Sequence, residues 1–382
     1  MRGLHALVVA SLALAPACGS DRPEEDETAS LSSISISVSG SGGGTGIDPT
    51  NDDSDDAEKL DAAMADTEGG VPCAEGGNCD TCVEQAHTPC DDGSTDIGNV
   101  IGLNCPGEGA ATVSTAGPAN AIGVRTNFGQ LGAWPAREGS VFAVNGSGNV
   151  AELDTETPAG DSNLFPTHCN DDIGPEFDQG TSLPPPIQVV DVGGDCAADP
   201  SLLGTGDCSN TIQTQFEAGS SANDYVEIRV LATVPEGNNS LEYDFAFFST
   251  EYPDYYQDVF NDMYIGWLES ESWTGNISFD DNGAPISLNA GFLDYRDAPQ
   301  GVPNDPVCGA SCVAPELHGT CMKQHAGTKW LTSVAPVTPG ESITLVLAIM
   351  DLSDSILDSY VFVDNFGWGC DGTDTPMTNP VG

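Results

Sequence analysis

The chain has 382 residues, with 59 acidic against 9 basic side chains, a formal net charge of −50, and three lysines, Lys59, Lys323 and Lys329. So negative a chain repels nucleic-acid phosphates, which excludes nucleic acid as a partner, and it repels anionic lipid surfaces equally. Its 45 glycines and 26 prolines favour turns and loops over long helices.

Residues 1–17 read as a lipoprotein signal peptide. Arg2 precedes an apolar run from Ala6 to Ala15, and Ala15-Pro16-Ala17 leads into Cys18. The run is too short to span a bilayer. Small residues before a cysteine resemble a lipobox, although Ala15 stands where leucine is usual and Leu14 lies one step earlier. Lipid on Cys18 is therefore expected to attach the protein to the membrane. Several acyl chains on one cysteine anchor firmly, where a single chain holds only marginally. Gly19-Ser20 after the cysteine points to the outer membrane or cell surface. The alternative is an ordinary signal peptide with a later cut and a disulfide-bonded Cys18.

Residues 18–70 are expected to be a lipid anchor and a disordered acidic tether. They run through PEEDETAS, SLSSISISVSGSGGGTG and DPTNDDSDDAEKLDAAMADTEGG, which hold too little apolar surface to fold and whose like charges repel. Residues 71–95 form a Cys-rich segment with few apolar residues, where disulfides are expected to stand in for a core.

With Cys18 lipidated, the remaining 12 of 13 cysteines suffice for six disulfides: Cys73, Cys79, Cys82, Cys90, Cys105, Cys169, Cys196, Cys208, Cys308, Cys312, Cys321 and Cys370. An exported chain meets the oxidising conditions in which such bonds persist, but spacing does not give their connectivity. The rival reading is metal binding at Cys79-x-x-Cys82 or at His318, Cys321 and His325. Zinc sites of the finger type usually need a second paired motif, and only one CxxC is present.

Residues 96–370 are expected to form an antiparallel β-sandwich or jelly roll with disulfide-stapled loops. Short apolar runs bounded by Gly, Asn or Pro fall at Ala121–Thr126 and Ser140–Val144. Asp161–Cys208 reads as a long loop system. Tyr225–Val234 alternates partly, whereas Leu241, Tyr243, Phe245 and Phe247 alternate cleanly and place an aromatic face on a core. Asp262–Leu268, Trp273–Phe279 and Pro285–Asn289 follow, then the strong runs Ile343–Met350 and Tyr360–Phe366. Tyr252–Val259 has room for one helical turn. Many short strands separated by turn signals argue for two packed antiparallel sheets. Residues 371–382 are left as a C-terminal tail.

The later segments resemble a known family. Ala222–Tyr225, Leu241–Tyr255 (LEYDFAFFSTEYPDY), Phe260-Asn261-Asp262, Trp273–Ser278 (WTGNIS), Pro285–Asn289 and Ile349–Phe366 (IMDLSDSILDSYVFVDNF) are together similar to the choice-of-anchor L domain, most strongly over 222–368 and reaching back to about 96. One departure is Thr250 before Glu251, where the family often has two Glu. The Cys- and Gly-rich form here is similar to those of myxobacterial surface lipoproteins. The resemblance implies a surface location and a sandwich fold. It brings no established activity.

Two acidic constellations carry the candidate chemistry. The first, expected to bind ligand, is Glu251, Asp254, Asp258 and Asp262 interleaved with Tyr252 and Tyr255. The second is Asp351, Asp354, Asp358 and Asp364 around the last two strands. Calcium takes six to eight oxygens from carboxylates, carbonyls and water, and the segment from Asp351 to Asp358 offers them in one loop, so calcium is the expected cofactor there. The plain alternative is that these acids cap loops or face water. Trp267, Trp273, Trp330 and Trp368 fit a core better than a sugar platform.

Enzyme chemistry finds little support in the sequence. Nothing separates a glycosidase pair of carboxylates from the acidic background. Outside the signal peptide the histidines are His87, His168, His318 and His325, and no GxSxG elbow occurs. The Gly-rich Ser41–Gly46 segment lies in the tether. The sequence therefore reads as a non-enzymatic surface module acting in adhesion, matrix or glycan binding. The alternatives are a glycoside hydrolase-like enzyme with paired carboxylates and a purely structural envelope protein.

Overall fold

A computed structural model describes residues 82–83, 87–107, 109–161, 165–189, 212, 216, 218–302 and 305–381. The expectations on the signal peptide, the lipid at Cys18, the tether, and Cys73, Cys79, Cys196 and Cys208 lie outside these residues.

One short helix, α1 (Ile97–Val100), precedes the strands. In chain order these are β1 (Thr112–Ala116), β2 (Ile122–Arg125), β3 (Asn127–Phe128), β4 (Trp134–Pro135) and β5 (Phe142–Gly146). Then come β6 (Ala222–Thr233), β7 (Ser240–Ser249), β8 (Met263–Glu269), β9 (Thr274–Asn276), β10 (Ile286–Ser287) and β11 (Tyr295–Arg296). The last are β12 (Ala326–Gly327), β13 (Leu331–Pro336), β14 (Ser342–Leu352), β15 (Ser359–Gly369) and β16 (Met377–Pro380).

They build two antiparallel sheets. The first has the order β1-β6-β14-β8-β10, with β9 added beside β8. The second has the order β11-β12-β7-β15-β5-β2, with β13 beside β7 and β16 beside β13. Between the sheets lies the main core. Val226, Ile228 and Val230 of β6, Ile343, Leu345, Leu347 and Ile349 of β14, and Tyr264 and Leu268 of β8 face Leu241, Tyr243, Phe245 and Phe247 of β7 and Val361 and Val363 of β15. This is the period-2 alternation that a sandwich requires.

The opposite faces are buried as well. Outside the second sheet, Phe248, Phe142, Tyr360 and Phe362 pack under Phe128, Trp134, Leu153, Met322 and Trp330. Outside the first, Ile265, Trp267, Val346, Ala348 and Met350 pack under Leu183, Ile187, Ile212 and Phe216. The loops therefore act as outer layers. All four tryptophans weighed as sugar platforms, Trp267, Trp273, Trp330 and Trp368, are buried.

Two of the sequence expectations differ from the structure. Tyr252–Val259 forms turns rather than helix. The segment left as a tail contributes β16, an edge strand paired only with β13 and ending at Pro380, where a missing amide hydrogen costs no ladder bond.

Four disulfides are formed among the described cysteines: Cys82–Cys370, Cys90–Cys105, Cys169–Cys321 and Cys308–Cys312. The first joins the Cys-rich segment to the residue after β15. Beside it, the Val83 amide donates to the Gly237 carbonyl and Asn238 Nδ2 donates to the Gly369 carbonyl.

Candidate functional site

Antiparallel pairing gathers five strand ends at the pole opposite that staple. Ala222 at the start of β6 pairs with Leu352 at the end of β14, and Met350 of β14 pairs with Met263 at the start of β8. In the other sheet, Ser359 at the start of β15 pairs with Ser249 at the end of β7. The residues at or just beyond these ends are acidic: Asp224, Glu251, Asp262, Asp351 and Asp358, all buried. The Ser359 hydroxyl donates to Asp262 Oδ2 at 2.7 Å and so ties the two sheets together here.

Local backbone geometry aims these groups. The β14–β6 register shifts between Ile349 and Asp351, and a bulge of this kind re-aims the side chain that follows it. Ser353 (φ 85°) and Leu357 (φ 72°) bracket the β14–β15 turn in the left-handed region, as does Asp224 (φ 48°). Non-glycine residues held there concentrate where the surroundings impose the conformation, often at functional sites.

The carboxylates differ in how far they are satisfied. Asp262 accepts from the Leu352 amide (3.2 Å) and from Ser359. Asp358 accepts from the Asp171 amide (2.9 Å) and the Tyr360 hydroxyl (2.8 Å). Asp224 Oδ1 accepts from the Ile173 amide at 3.3 Å, but its Oδ2 has no hydrogen-bond partner. Glu251 Oε2 has none, and Asp351, which receives no backbone amide, shares a side-chain hydrogen bond with the Asp262 carboxyl. The Ser147 hydroxyl hydrogen-bonds with Asp351 and also reaches the Ser359 carbonyl at 3.3 Å.

Burial in this crowd of like charge pushes the acids up. Asp224 and Asp262 are raised to about 7, in each case chiefly by loss of solvent, with neighbouring aspartates adding to it. Glu251, Asp351 and Asp358 rise for the same first reason. A group raised in the fold contributes stability that is present below its unfolded pKa of about 4 and is lost as the pH climbs through its folded value. Buried His325, depressed to about 4 by desolvation, acts oppositely, because its unfolded form takes up a proton first. Several acids outweigh one histidine. In chelator, the melting midpoint is therefore expected to fall from about pH 5 to about pH 8, as calorimetry at the two values would read. A rising midpoint would mean that these carboxylates are not neutral in the fold.

The structure redraws the two constellations. Glu251 and Asp262 of the first join Asp351, Asp354 and Asp358 of the second in one field of mutual repulsion. Asp254 and Asp258 are exposed on the adjoining turn, with Tyr255 half-buried beside Phe260. Tyr252 is withdrawn from the surface. It is fully buried with Leu288 and Leu293, and its hydroxyl donates to Asp305 at 3.0 Å. Asp364 stands apart, in mid-β15 opposite Asp244, where its carboxylate accepts from the amides of Arg137, Glu138 and Asn365. Asp224 was missed in the sequence because nothing acidic adjoins it there; only the pairing of Asn223 with Asp351 reveals it. Among the described residues no group of three or more His, Cys, Asp or Glu side chains is placed so that it could hold a metal ion.

Residues 205–367 match the model of the choice-of-anchor L domain. The chain carries a choice-of-anchor L domain. Choice-of-anchor domains occur on cell-surface or secreted proteins. No curated protein and no solved structure matches the chain. The matched segment contains β6 to β8 and β14, and nearly all of β15, hence every buried acid at the pole. It does not contain the whole sandwich. β1 pairs with β6 and β5 pairs with β15 from outside it, and β16 pairs with β13 from beyond its end, so both sheets include strands that the matched segment does not supply.

Proposed function

We propose that the protein is a non-enzymatic surface module, held to the outer membrane or cell surface by lipid on Cys18, that binds an extracellular glycan or matrix protein through its acidic pole with calcium as cofactor. The observation that carries this reading is the polarity of the sandwich. Cys82, the first described residue, is bonded to Cys370 just past one end of β15, while the acids and the Asp254–Asp258 turn lie at the other end. A hydrolase fits less well, because the acids best placed to act as a pair are buried and a glycosidase pair must flank a sugar. The shallow concavity of about 180 Å³ near Tyr295 and Arg296 contains none of them.

Binding of the purified protein to immobilised polysaccharides and matrix proteins, with calcium or with chelator, tests the proposal. Saturable binding is expected, weakened on the order of tenfold by Tyr255→Ala, since removing one aromatic contact at a binding site typically costs more than about 1 kcal/mol. Binding to no glycan or matrix protein, with self-association instead, would favour a structural envelope component.

A further inference from the structure

We propose that the concavity between β11 and the Cys308–Cys312 loop binds a free aliphatic α-amino acid as its zwitterion. Arg296 takes the carboxylate, Glu316 takes the ammonium, and the side chain lies against Val307 and Val313. The site contains none of the acids of the pole and depends on neither calcium nor glycan binding.

Arg296 carries the first part of the case. Its side chain is 10% exposed, and a guanidinium has five N–H donors and no acceptor. Nε lies 3.3 Å from Asp305 Oδ2 without making a hydrogen bond, and the guanidinium carbon stands 5.8 Å from the centre of the Tyr256 ring. These are its contacts among the described residues. Asp305 is already occupied, because it accepts from the Tyr252 hydroxyl and from the amides of Val307 and Cys308. Unsatisfied donors in a nearly buried cation are costly, and bonds to an ionised acceptor are the strongest they can make. The cavity of about 180 Å³ that Arg296 lines admits such an acceptor from outside. A carboxylate matches the guanidinium fork with two parallel bonds.

The rest of the lining decides what else the ligand carries. Asp294 and Glu316 are both part of it. Asp294 is paired with Lys329 at 3.6 Å and Arg296 with Asp305, and those charges cancel. Half-buried Glu316 has no ion pair among the described residues, so its negative charge is left over. A ligand bearing only a carboxylate is repelled by Glu316, and one bearing only an ammonium is repelled by Arg296; a zwitterion suits both. The walls are aliphatic. Val307 and Val313 are 69% and 67% exposed and flank the two cysteines of the Cys308–Cys312 disulfide. Cys312 exchanges two backbone hydrogen bonds with Ala298, which fixes this wall two residues from Arg296. Exposed apolar side chains around a concavity with a few convergent polar groups mark a small-molecule site. Tyr295, the aromatic residue of the lining, packs its ring against Trp134 at 4.7 Å, which favours an aliphatic chain over a sugar ring. The volume falls below the roughly 300 Å³ at which sites for drug-sized ligands begin, as a single amino acid requires.

The test is titration of the full chain with L-leucine, followed by calorimetry. One saturable site is expected, with a Kd of roughly 1 mM or tighter. Glycine lacks the side chain, 4-methylpentanoate the ammonium and 3-methylbutylamine the carboxylate, and each should bind at least about tenfold more weakly. Arg296→Lys, which keeps the charge but loses the fork, and Glu316→Gln should each weaken leucine binding by a similar factor, whereas Asp258→Asn should not. If Arg296→Lys does not fold, Glu316→Gln and the ligand series on the unaltered protein decide. No saturable heat with leucine overturns the proposal. So does glycine or 4-methylpentanoate binding as tightly as leucine, or an affinity unchanged in Glu316→Gln. N-acetyl-leucine binding as tightly as leucine would overturn it in favour of the C-terminal residue of a peptide.

Discussion

Gly148→Ala is expected to lower the melting midpoint by roughly 6 °C or more, a loss of at least about 3 kcal/mol. The cause is space rather than backbone freedom. A Cβ on Gly148 would fall inside the Asp358 carboxylate, which is fully buried and held by the Asp171 amide and the Tyr360 hydroxyl. The alanine methyl would force that carboxylate out of both hydrogen bonds and leave their donors unsatisfied in the interior. Gly148→Ala combined with Asp358→Ala should then melt higher than Gly148→Ala alone, because the second change removes the obstacle. If the double variant is no better than the single one, the clash is not with Asp358. If Gly148→Ala melts like the parent, the close approach does not exist.

Removing the Cys82–Cys370 bond by Cys82→Ala with Cys370→Ala is expected to cost about 4 kcal/mol. The bond closes a loop with a sequence separation of 288, so in the chain-entropy account it restricts the unfolded state more than the Cys90–Cys105 bond, whose separation is 15. It also holds Val83 against Gly237 and Asn238. Equilibrium unfolding of the variant against the parent gives the number. A difference under about 1 kcal/mol would mean that the unfolded chain is compact at that separation or that the native bond is strained.

How much of this was readable in the sequence follows from the length scale of each signal. The alternation of Leu241, Tyr243, Phe245 and Phe247 and the runs at 343–350 and 360–366 are local, and the structure places strands there within a few residues. β1 and β13 went unmarked because TVSTA and LTSVAP mix hydroxyls with small apolar residues and show no clear period. The burial of both faces of β7 was hidden for a different reason. Ala246 and Phe248 face a layer supplied by residues as distant as Phe128 and Trp330, which no local pattern announces.

The acidic pole was half legible. Asp351 and Asp358 could be paired because a turn joins them. Asp364 was grouped with them by proximity along the chain, yet six residues of extended strand carry it about 20 Å from Asp358. Asp224 lies more than a hundred positions from Asp351 and reaches it only through strand register. Sequence distance thus misleads in both directions once strands run antiparallel.

β15 gives the domain a mechanical axis. Its 11 residues span about 36 Å, from Asp358 at the acidic pole to Cys370 at the staple. A tug arriving along the chain before Cys82 is handed through the disulfide to the far end of this central strand. It bypasses the segment between Cys82 and β1, which would otherwise peel away first. The hydrogen bonds of β15 to β7 and β5 then lie across the direction of pull and must yield together rather than one after another. On the function proposed above, with a ligand at the acidic pole and attachment through the chain before Cys82, the load would run along β15.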